Sequence, residues 1–575
     1  MKNKKTLSLY LVGIVSLFIM HYYILVNCRL EEAADILLWI DNLFGVVFDI
    51  TITCAILCLI TGGKVRLSIF ISSITAIVWS FINVLYSRFF HHYLSLSAIG
   101  QARTLADSFM LNNIKEGLQY FDFIYILLFF VCLWFFHSSK DEEPSLKWYS
   151  LFVIWPLSLL AINLVSHLLF CILTPGLAYP TYYKHRIFVR HVGLLHSTAE
   201  PNWASFHRGS IRQLVIPAFW QAYSNKELTN SQRAAIKKEY SNHNGRISHT
   251  TKKVKDKNII FIIIESYLSS TSDLIVDGKE ITPFLNSLKH DSTTYYNGQL
   301  EPNITIGESS DGQFLYMTGL LPLRSEVTVT KAKYTELPGL PKVLKNEGLI
   351  SETQMIIPTL PSMWEQEDMC EKYGFDHLYT SADYQNGTFW YLSDQQIFGY
   401  ALEKNLFAKQ PFLSVVLTMT MHQPYTTPMD PAFIVKDESL TEKYRNYLST
   451  CHYTDQQIKW YFEQLKKKGL YDKSIIVIVA DHHAHSSLFD MKEGDISSDI
   501  PLYIINGNIN KATGWQGKCN QLDVYTTLLD IFDTKGEWKG FGHTLITNDY
   551  HDSIKPELWE LSEQIVLGNY FKHKE

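Results

Sequence analysis

A chain of 575 residues is too long for one ordinary domain, and its apolar residues crowd into the first third, so separate units are expected. The formal net charge of −6 supplies no basic field for nucleic acid, and no zinc-finger spacing or other nucleic-acid module is present. Of eight cysteines, Cys28, Cys54, Cys58, Cys132 and Cys171 lie in or beside apolar runs, while Cys370, Cys451 and Cys519 are widely spaced, which excludes a disulfide framework but leaves room for one bridge.

In chain order, residues 7–27, 36–60, 67–86, 121–137 and 148–173 are apolar runs with few charges, each near the ~20 residues that span a bilayer as a helix. Soluble helices carry polar faces, so this density predicts a five-helix transmembrane domain over residues 1–175. Lys and Arg stay on the cytoplasmic side during insertion. Lys2, Lys4 and Lys5 place the N-terminus inside, Lys64 and Arg66 mark the next inside loop, and Lys140 with Lys147 the third, diluted by Asp141, Glu142 and Glu143. An odd number of crossings then puts everything after about residue 175 outside. No small-residue cleavage pattern precedes Arg29, which favours an uncleaved anchor over a signal peptide. Residues 176–256 turn aromatic and basic from Tyr179 to Arg190, then polar from Ser224 to Lys255; interfacial helices and a linker are expected, with a plain surface helix pair an equal alternative.

From residue 257 to 575 the pattern is that of an α/β domain. Asn258 to Ile264, Pro411 to Met419 and Ser474 to Ala480 read as buried strands. Glu442 to Lys468 has helical periodicity, and Leu522 to Phe532 reads as a closing helix capped by Asp523 or the residues just before it.

The chemistry lies where these strands stop. Glu265 follows Ile264, His422 comes shortly after Met419, and Asp481 with His482 follows Ala480. Ligands of open α/β sheets collect at the carboxyl ends of strands, so three such endings point to one site. Singly, each residue reads equally well as a turn or cap. The Asp-His pair says more, because a hard anionic oxygen beside an imidazole suits zinc or manganese. His483 and His485 are further candidates, though neighbours on a loop rarely all reach one ion. For a nucleophile, the run Gly307-Glu308-Ser309-Ser310-Asp311-Gly312 leads into the apolar stretch from Phe314 to Met317. A Ser at a helix start faces unpaired N–H groups that favour an alkoxide and an incoming phosphate, with simple N-capping as the plain alternative.

With these residues in view, the chain resembles the lipoteichoic acid synthase and phosphoglycerol transferase family of the alkaline phosphatase and sulfatase superfamily. The motifs are Ile264-Glu265-Ser266, Gly307 to Asp311, the His-x-Pro-Tyr of 422 to 425, and Asp481-His482. Weaker matches follow in order: Trp364, Tyr373-Gly374-Phe375-Asp376, Tyr453-Thr454-Asp455 and Asp499-Ile500-Pro501-Leu502. The resemblance implies a central mixed sheet flanked by helices, outside the membrane. It also implies one divalent ion (manganese or zinc, with magnesium a third option) held by Glu265, Ser309, Asp481 and His482. Ser309 would be the nucleophile, where the family usually has Thr, and His422 and Trp364 would contact substrate. Two departures bear on substrate: Gln366 stands where relatives that handle glycerol phosphate carry Arg, and Ile357 where they carry His. Thr318-Gly319 ends the run as in sulfatases, but Asp311 and Gln313 replace their Pro and Arg, so formylglycine and sulfate ester hydrolysis are not expected.

The resulting expectation is an integral, multi-pass enzyme of a bacterial cytoplasmic membrane with its catalytic domain outside. It would move a phospholipid headgroup, phosphoglycerol or phosphoethanolamine, to a glycan or lipid acceptor through a phospho-serine. The alternatives are a metal-dependent phosphatase or phosphodiesterase, a sulfatase-like hydrolase, and a non-catalytic membrane protein binding lipid or wall polymer.

Overall fold

The computed structural model describes residues 4–27, 36–90, 118–142, 228–244, 254, 256–305, 307–324, 327–384, 392–423, 425, 433–484, 497–547, 554 and 556–573. The chain divides into two compact units, Met1–Asn225 and Lys226–Glu575.

In the first unit, helices Lys4–Asn27, Ile36–Ile60, Val65–Phe90 and Phe123–Ser138 coincide with the first four apolar runs. Among the described residues, three segments are long and apolar enough to cross a membrane: Lys4–Ile24, Val65–Arg88 and Tyr120–Ser138. The fifth expected run, 148–173, lies outside the described residues, and Ile36–Ile60 supports only a shorter described apolar segment, so three of the five expected spans are supported among the described residues. The helices alternate in direction. Glu142 accepts hydrogen bonds from the N–H groups of Lys5 and Thr6, joining the end of the fourth helix to the start of the first. At the opposite end, Arg88 makes two 2.7 Å bonds to Asp122 and one of 2.8 Å to Tyr23, tying the third, fourth and first helices together. Some polar side chains inside the bundle pair across helices, as apolar surroundings favour. Tyr10 Oη lies 2.6 Å from Thr51 Oγ1, and Ser73 donates to the Leu9 carbonyl at 2.9 Å.

The second unit is built on ten strands: β1 Asn258–Ile264, β2 Ile275–Val276, β3 Lys279–Glu280, β4 Thr294–Glu301, β5 Glu352–Ile356, β6 His377–Tyr379, β7 Phe412–Leu417, β8 Ser474–Ala480, β9 Ile500–Ile505 and β10 Cys519–Asn520. β2 and β3 form a small ribbon, and the others a sheet in the order β10-β4-β9-β8-β1-β7-β5-β6. β8, β1, β7, β5 and β6 run parallel, whereas β9 is antiparallel to both of its neighbours. The sheet is therefore mixed, as expected for this class. All seven residues of β1 and of β8 are buried, the signature of a strand covered by helices on both faces. The second expected strand, Pro411 to Met419, forms as the shorter Phe412–Leu417, and just past its end the Thr418 N–H still donates to the Ile263 carbonyl of β1.

The expected helix over 442–468 forms as Glu442–Lys467, capped by Thr441. The closing helix forms as Asp523–Ile531, but no side chain caps it; the Asp523 carboxylate instead accepts from the N–H groups of Asn520 and His543. Part of the expected linker is ordered. Helix Asn230–Asn244 belongs to the second unit and buries Ile236 and Tyr240 in its core, Tyr240 standing edge-on to Trp538. The unit therefore begins ahead of the expected boundary at 257, because two apolar positions in a polar stretch suffice to dock a helix. Cys370, Cys451 and Cys519 are buried free thiols, so the one bridge left open by the sequence does not form among them.

Candidate active site

The pairing of β1 with β8 sets the centre. Ile264 stands opposite Ala480, so the next residues, Glu265 and Asp481, emerge side by side at the carboxyl edge of the sheet. Their orientation is locked by short bonds. Ser266 N–H donates to Asp481 Oδ1 at 2.8 Å, Ser266 Oγ donates to Glu265 Oε1 at 2.7 Å, and the Glu265 N–H donates to Thr418 Oγ1 at 3.0 Å. His482 N–H donates to Asp481 Oδ1 at 2.7 Å, and its Nδ1 pairs with the His483 carbonyl at 2.8 Å. That second bond fixes the ring and presents Nε2 to the carboxylates, 3.5 Å from Glu265 Oε1 and 3.5 Å from Asp481 Oδ2.

Ser309 enters from the helix Ser309–Thr318. Its Oγ lies 3.3 Å from Glu265 Oε2 and 3.1 Å from His482 Nε2. The helix can come this close because Gly312 has no side chain; a Cβ there would stand 2.3 Å from the Asp481 carbonyl oxygen. Tyr316 pins the next turn by donating to the Ala480 carbonyl at 2.6 Å. The loop before Ser309 is held by Asp311, whose carboxylate accepts from Thr305 N, Thr305 Oγ1, Gly307 N and Thr328 Oγ1. Burial pushes this carboxyl up to about 6, against the pull of those donors. Glu308, just before the nucleophile position, has φ 46°, a strained value for a residue with a side chain and one that clusters at functional sites.

Three donor atoms from Glu265, Asp481 and His482 all lie within 4.8 Å of one another, and all three residues are buried. Burial first, and the neighbouring Asp481 second, push the Glu265 carboxyl well above its usual range. Two buried carboxylates and an imidazole facing one point are electrostatically frustrated without a cation, and this donor set suits a divalent ion of the zinc or manganese type. These residues fit the ion expected from the sequence, with the Ser309 hydroxyl on the same point.

His422 comes from the turn after β7. Its Nδ1 pairs with the Gln423 carbonyl at 2.6 Å, and burial lowers its pKa, with the nearby His482 and Asp481 acting on it in opposite directions. The four sequence-predicted centre residues thus converge with His422 beside them. Trp364 is reached less directly. It is partly buried against the core with a left-handed φ of 51°, and its segment joins the nucleophile helix through Gln366, whose Nε2 donates to Gln313 Oε1 at 2.9 Å, one turn after Ser309. Ile357 is fully buried in the core. His483 turns its Nδ1 to the Ala484 carbonyl, and His485 lies outside the described residues.

Sequence reasoning passed over Thr418 and Asp394. Asp394 accepts from the N–H groups of Met419 and Thr420 and from Thr454 Oγ1, shaping the turn that leads to His422. The match at Tyr453-Thr454-Asp455 was a signal for this, and its Asp455 accepts from Phe284 N and Leu285 N at the start of helix Pro283–His290.

Residues 257–534, within the α/β second unit, match the Sulfatase family model. The chain is similar to lipoteichoic acid synthases of several bacteria. It is 28% identical over 421 residues to lipoteichoic acid synthase 2 of Bacillus subtilis, covering 70% of this chain and 60% of that protein. It is 24% identical over 584 residues to the lipoteichoic acid synthase of Staphylococcus saprophyticus, covering 96% of this chain and 86% of that one. Among solved structures, a lipoteichoic acid synthase from Listeria monocytogenes superposes with a TM-score of 0.47 at 21% identity, covering 54% of this chain and 81% of the other.

Proposed function

We propose that this protein is a membrane-anchored, metal-dependent phosphotransferase that moves the phosphoglycerol headgroup of a membrane phospholipid to a glycan or lipid acceptor, by way of a phosphorylated Ser309. One observation carries the reading: the Ser309 hydroxyl, at the start of a buried helix, is hydrogen-bonded to both Glu265 and His482 of a three-donor cluster. A divalent cation held by Glu265, Asp481 and His482 would neutralise the carboxylates, lower the pKa of the Ser309 hydroxyl and withdraw charge from phosphoryl oxygens. Ser309 Oγ, oriented by these bonds and by the Gly312 contact, attacks the headgroup phosphorus. The phosphorus–oxygen bond to diacylglycerol breaks, and diacylglycerol leaves as the alcohol. A hydroxyl of the acceptor then attacks the same phosphorus and frees Ser309. His422, fixed through Nδ1 beside the cluster, contacts the phosphoryl group and can hold a proton at Nε2. Trp364 lines the substrate approach.

Phosphoglycerol is favoured over phosphoethanolamine because the similar curated relatives are lipoteichoic acid synthases. Gln366, in place of Arg, is a buried neutral amide tied to Gln313 and so brings no charge to the headgroup. The anchor keeps the site near a donor confined to the bilayer and raises its effective concentration.

The test is full-length protein in vesicles containing headgroup-labelled phosphatidylglycerol or phosphatidylethanolamine with manganese. Diacylglycerol release from the first and not the second is expected. Release from phosphatidylethanolamine alone would change the headgroup, and release from neither would overturn the reading.

A further inference from the structure

Helix Pro556–Leu567 lies beyond the residues that match the Sulfatase family model, yet Leu558, Trp559, Ile565 and Val566 dock it into the core of the second unit. Two of its polar side chains grip the stretch that follows the nucleophile helix. Ser562 Oγ accepts from the Leu321 N–H at 3.1 Å, and Glu563 Oε1 accepts from the Arg324 N–H at 3.2 Å. The Arg324 guanidinium is buried and meets the same carboxylate through both Nε and Nη2. A buried guanidinium needs an anion at close range, and a two-pronged pairing fixes direction as well as distance.

Leu323, between these two anchors, carries the grip onward to the loop that holds Ser309. Its N–H donates to Thr328 Oγ1 at 3.0 Å, and Thr328 Oγ1 donates to Asp311 Oδ1 at 2.7 Å. Its carbonyl lies 2.6 Å from Thr305 Oγ1, which is also 2.8 Å from Asp311 Oδ2. Both carboxylate oxygens of Asp311 therefore rest on hydroxyls that Leu323 orients. Asp311 in turn accepts from the N–H groups of Thr305 and Gly307, each at 2.9 Å, and Gly307 stands two residues before Ser309. Leu323, Arg324, Thr328, Thr305 and Asp311 are all buried, so water does not compete for these bonds.

We propose that Glu563 is a positioning residue for the nucleophile: through Arg324, Leu323 and Thr328, the C-terminal helix sets the Asp311 carboxylate and with it the place of Ser309 Oγ. This role rests on the phosphotransferase reading of Ser309. Attack on phosphorus tolerates little error, and a displacement of about 1 Å at the reacting atom costs about a hundredfold in rate. The loss falls on kcat, because the connection ends at the attacking oxygen and leaves KM nearly unchanged.

The experiment is a double-mutant cycle of Glu563→Gln and Thr328→Val in the full-length, manganese-loaded protein. It measures kcat and KM on phosphatidylglycerol vesicles, melting temperature, and amide hydrogen exchange across residues 305–312. Each single variant should lower kcat by about tenfold with KM within about twofold, and exchange over 305–312 should quicken in both. The double variant should lose well under about a hundredfold, because both changes break one connection. Tyr461→Phe, which loses a buried bond to Asn405 between two other helices, should melt lower yet keep kcat within about twofold. A kcat within about twofold of wild type in Glu563→Gln, unchanged exchange over 305–312, multiplying losses in the double variant, or an equal loss of kcat in Tyr461→Phe would each overturn the proposal. Should Glu563→Gln fail to fold, Ser562→Ala, which removes only the partner of the Leu321 N–H, takes its place: about a threefold loss of kcat with faster exchange supports the role, and no change in either overturns it. If the wild type releases no diacylglycerol while exchange over 305–312 still answers to Glu563, the positioning stands and the phosphotransferase reading falls.

Discussion

At the scale of single residues, the site works by concentrating unlike demands on one point. Glu265 and Asp481 repel each other, burial raises the cost, and the Ser309 hydroxyl sits where a cation would relieve both. Loading with manganese at about a hundred times its Kd should therefore stabilise the fold by about 2.7 kcal/mol, read as a rise in melting temperature over chelated protein. Glu265→Gln should abolish most of that rise. Ser309→Ala should lower diacylglycerol release by about a thousandfold or more, whereas Ser309→Thr, which keeps the hydroxyl, should stay within about tenfold of wild type. Glu265, Ser309, Asp481 and His482 were legible in the sequence because each follows a recognisable strand or opens a recognisable helix. Ser266 and Thr418 were not read for their roles, since an orienting bond has no meaning until distant segments meet.

At the scale of elements, the register of β1 against β8 and the seat of helix Ser309–Thr318 fix the geometry. Gly312→Ala drives a Cβ into the Asp481 backbone and should cost about 2–4 kcal/mol together with activity. Gly399→Ala, in helix Asp394–Phe407 with nothing within 4 Å, should instead gain about 0.5–1 kcal/mol. Denaturant melts of both variants decide this. A second element-level effect concerns pH. Burial pushes the Asp455 carboxyl up to about 7 despite its bonds to the start of helix Pro283–His290, whereas an unfolded Asp titrates near ~3.9. Between those values the folded chain binds more protons than the unfolded one. The stability this group contributes is complete below the unfolded value and is lost as pH rises through about 7. Chelated protein should then melt at a higher temperature near about pH 5 than near about pH 8, and Asp455→Asn should remove part of the slope, on the order of 1–3 kcal/mol. The parallel strands β1, β7 and β8 were legible because burial leaves them as uninterrupted apolar runs, whereas their parallel neighbours β5 and β6, with Glu352, Gln354 and His377 in them, were not. β4, β9 and helix Asn230–Asn244 were not, since Tyr, Asn and Gln interrupt the first and polar residues surround Ile236 and Tyr240 in the last.

At the scale of the whole molecule, the first unit's helices Lys4–Asn27 and Phe123–Ser138 run in opposite directions, joined at Glu142 and at Arg88. Lys2, Lys4 and Lys5 lead to the prediction that the N-terminus lies inside. Protease added to intact spheroplasts should therefore cleave within residues 257–547 and spare an N-terminal epitope tag; protection of the second unit would reverse the topology. Mass spectrometry of the Ser309 peptide, after full-length protein has met phosphatidylglycerol and manganese, tests the central claim most directly. A phosphoglycerol adduct on Ser309 is the predicted result. No adduct on the wild type, together with unchanged lipid turnover in Ser309→Ala, would contradict it.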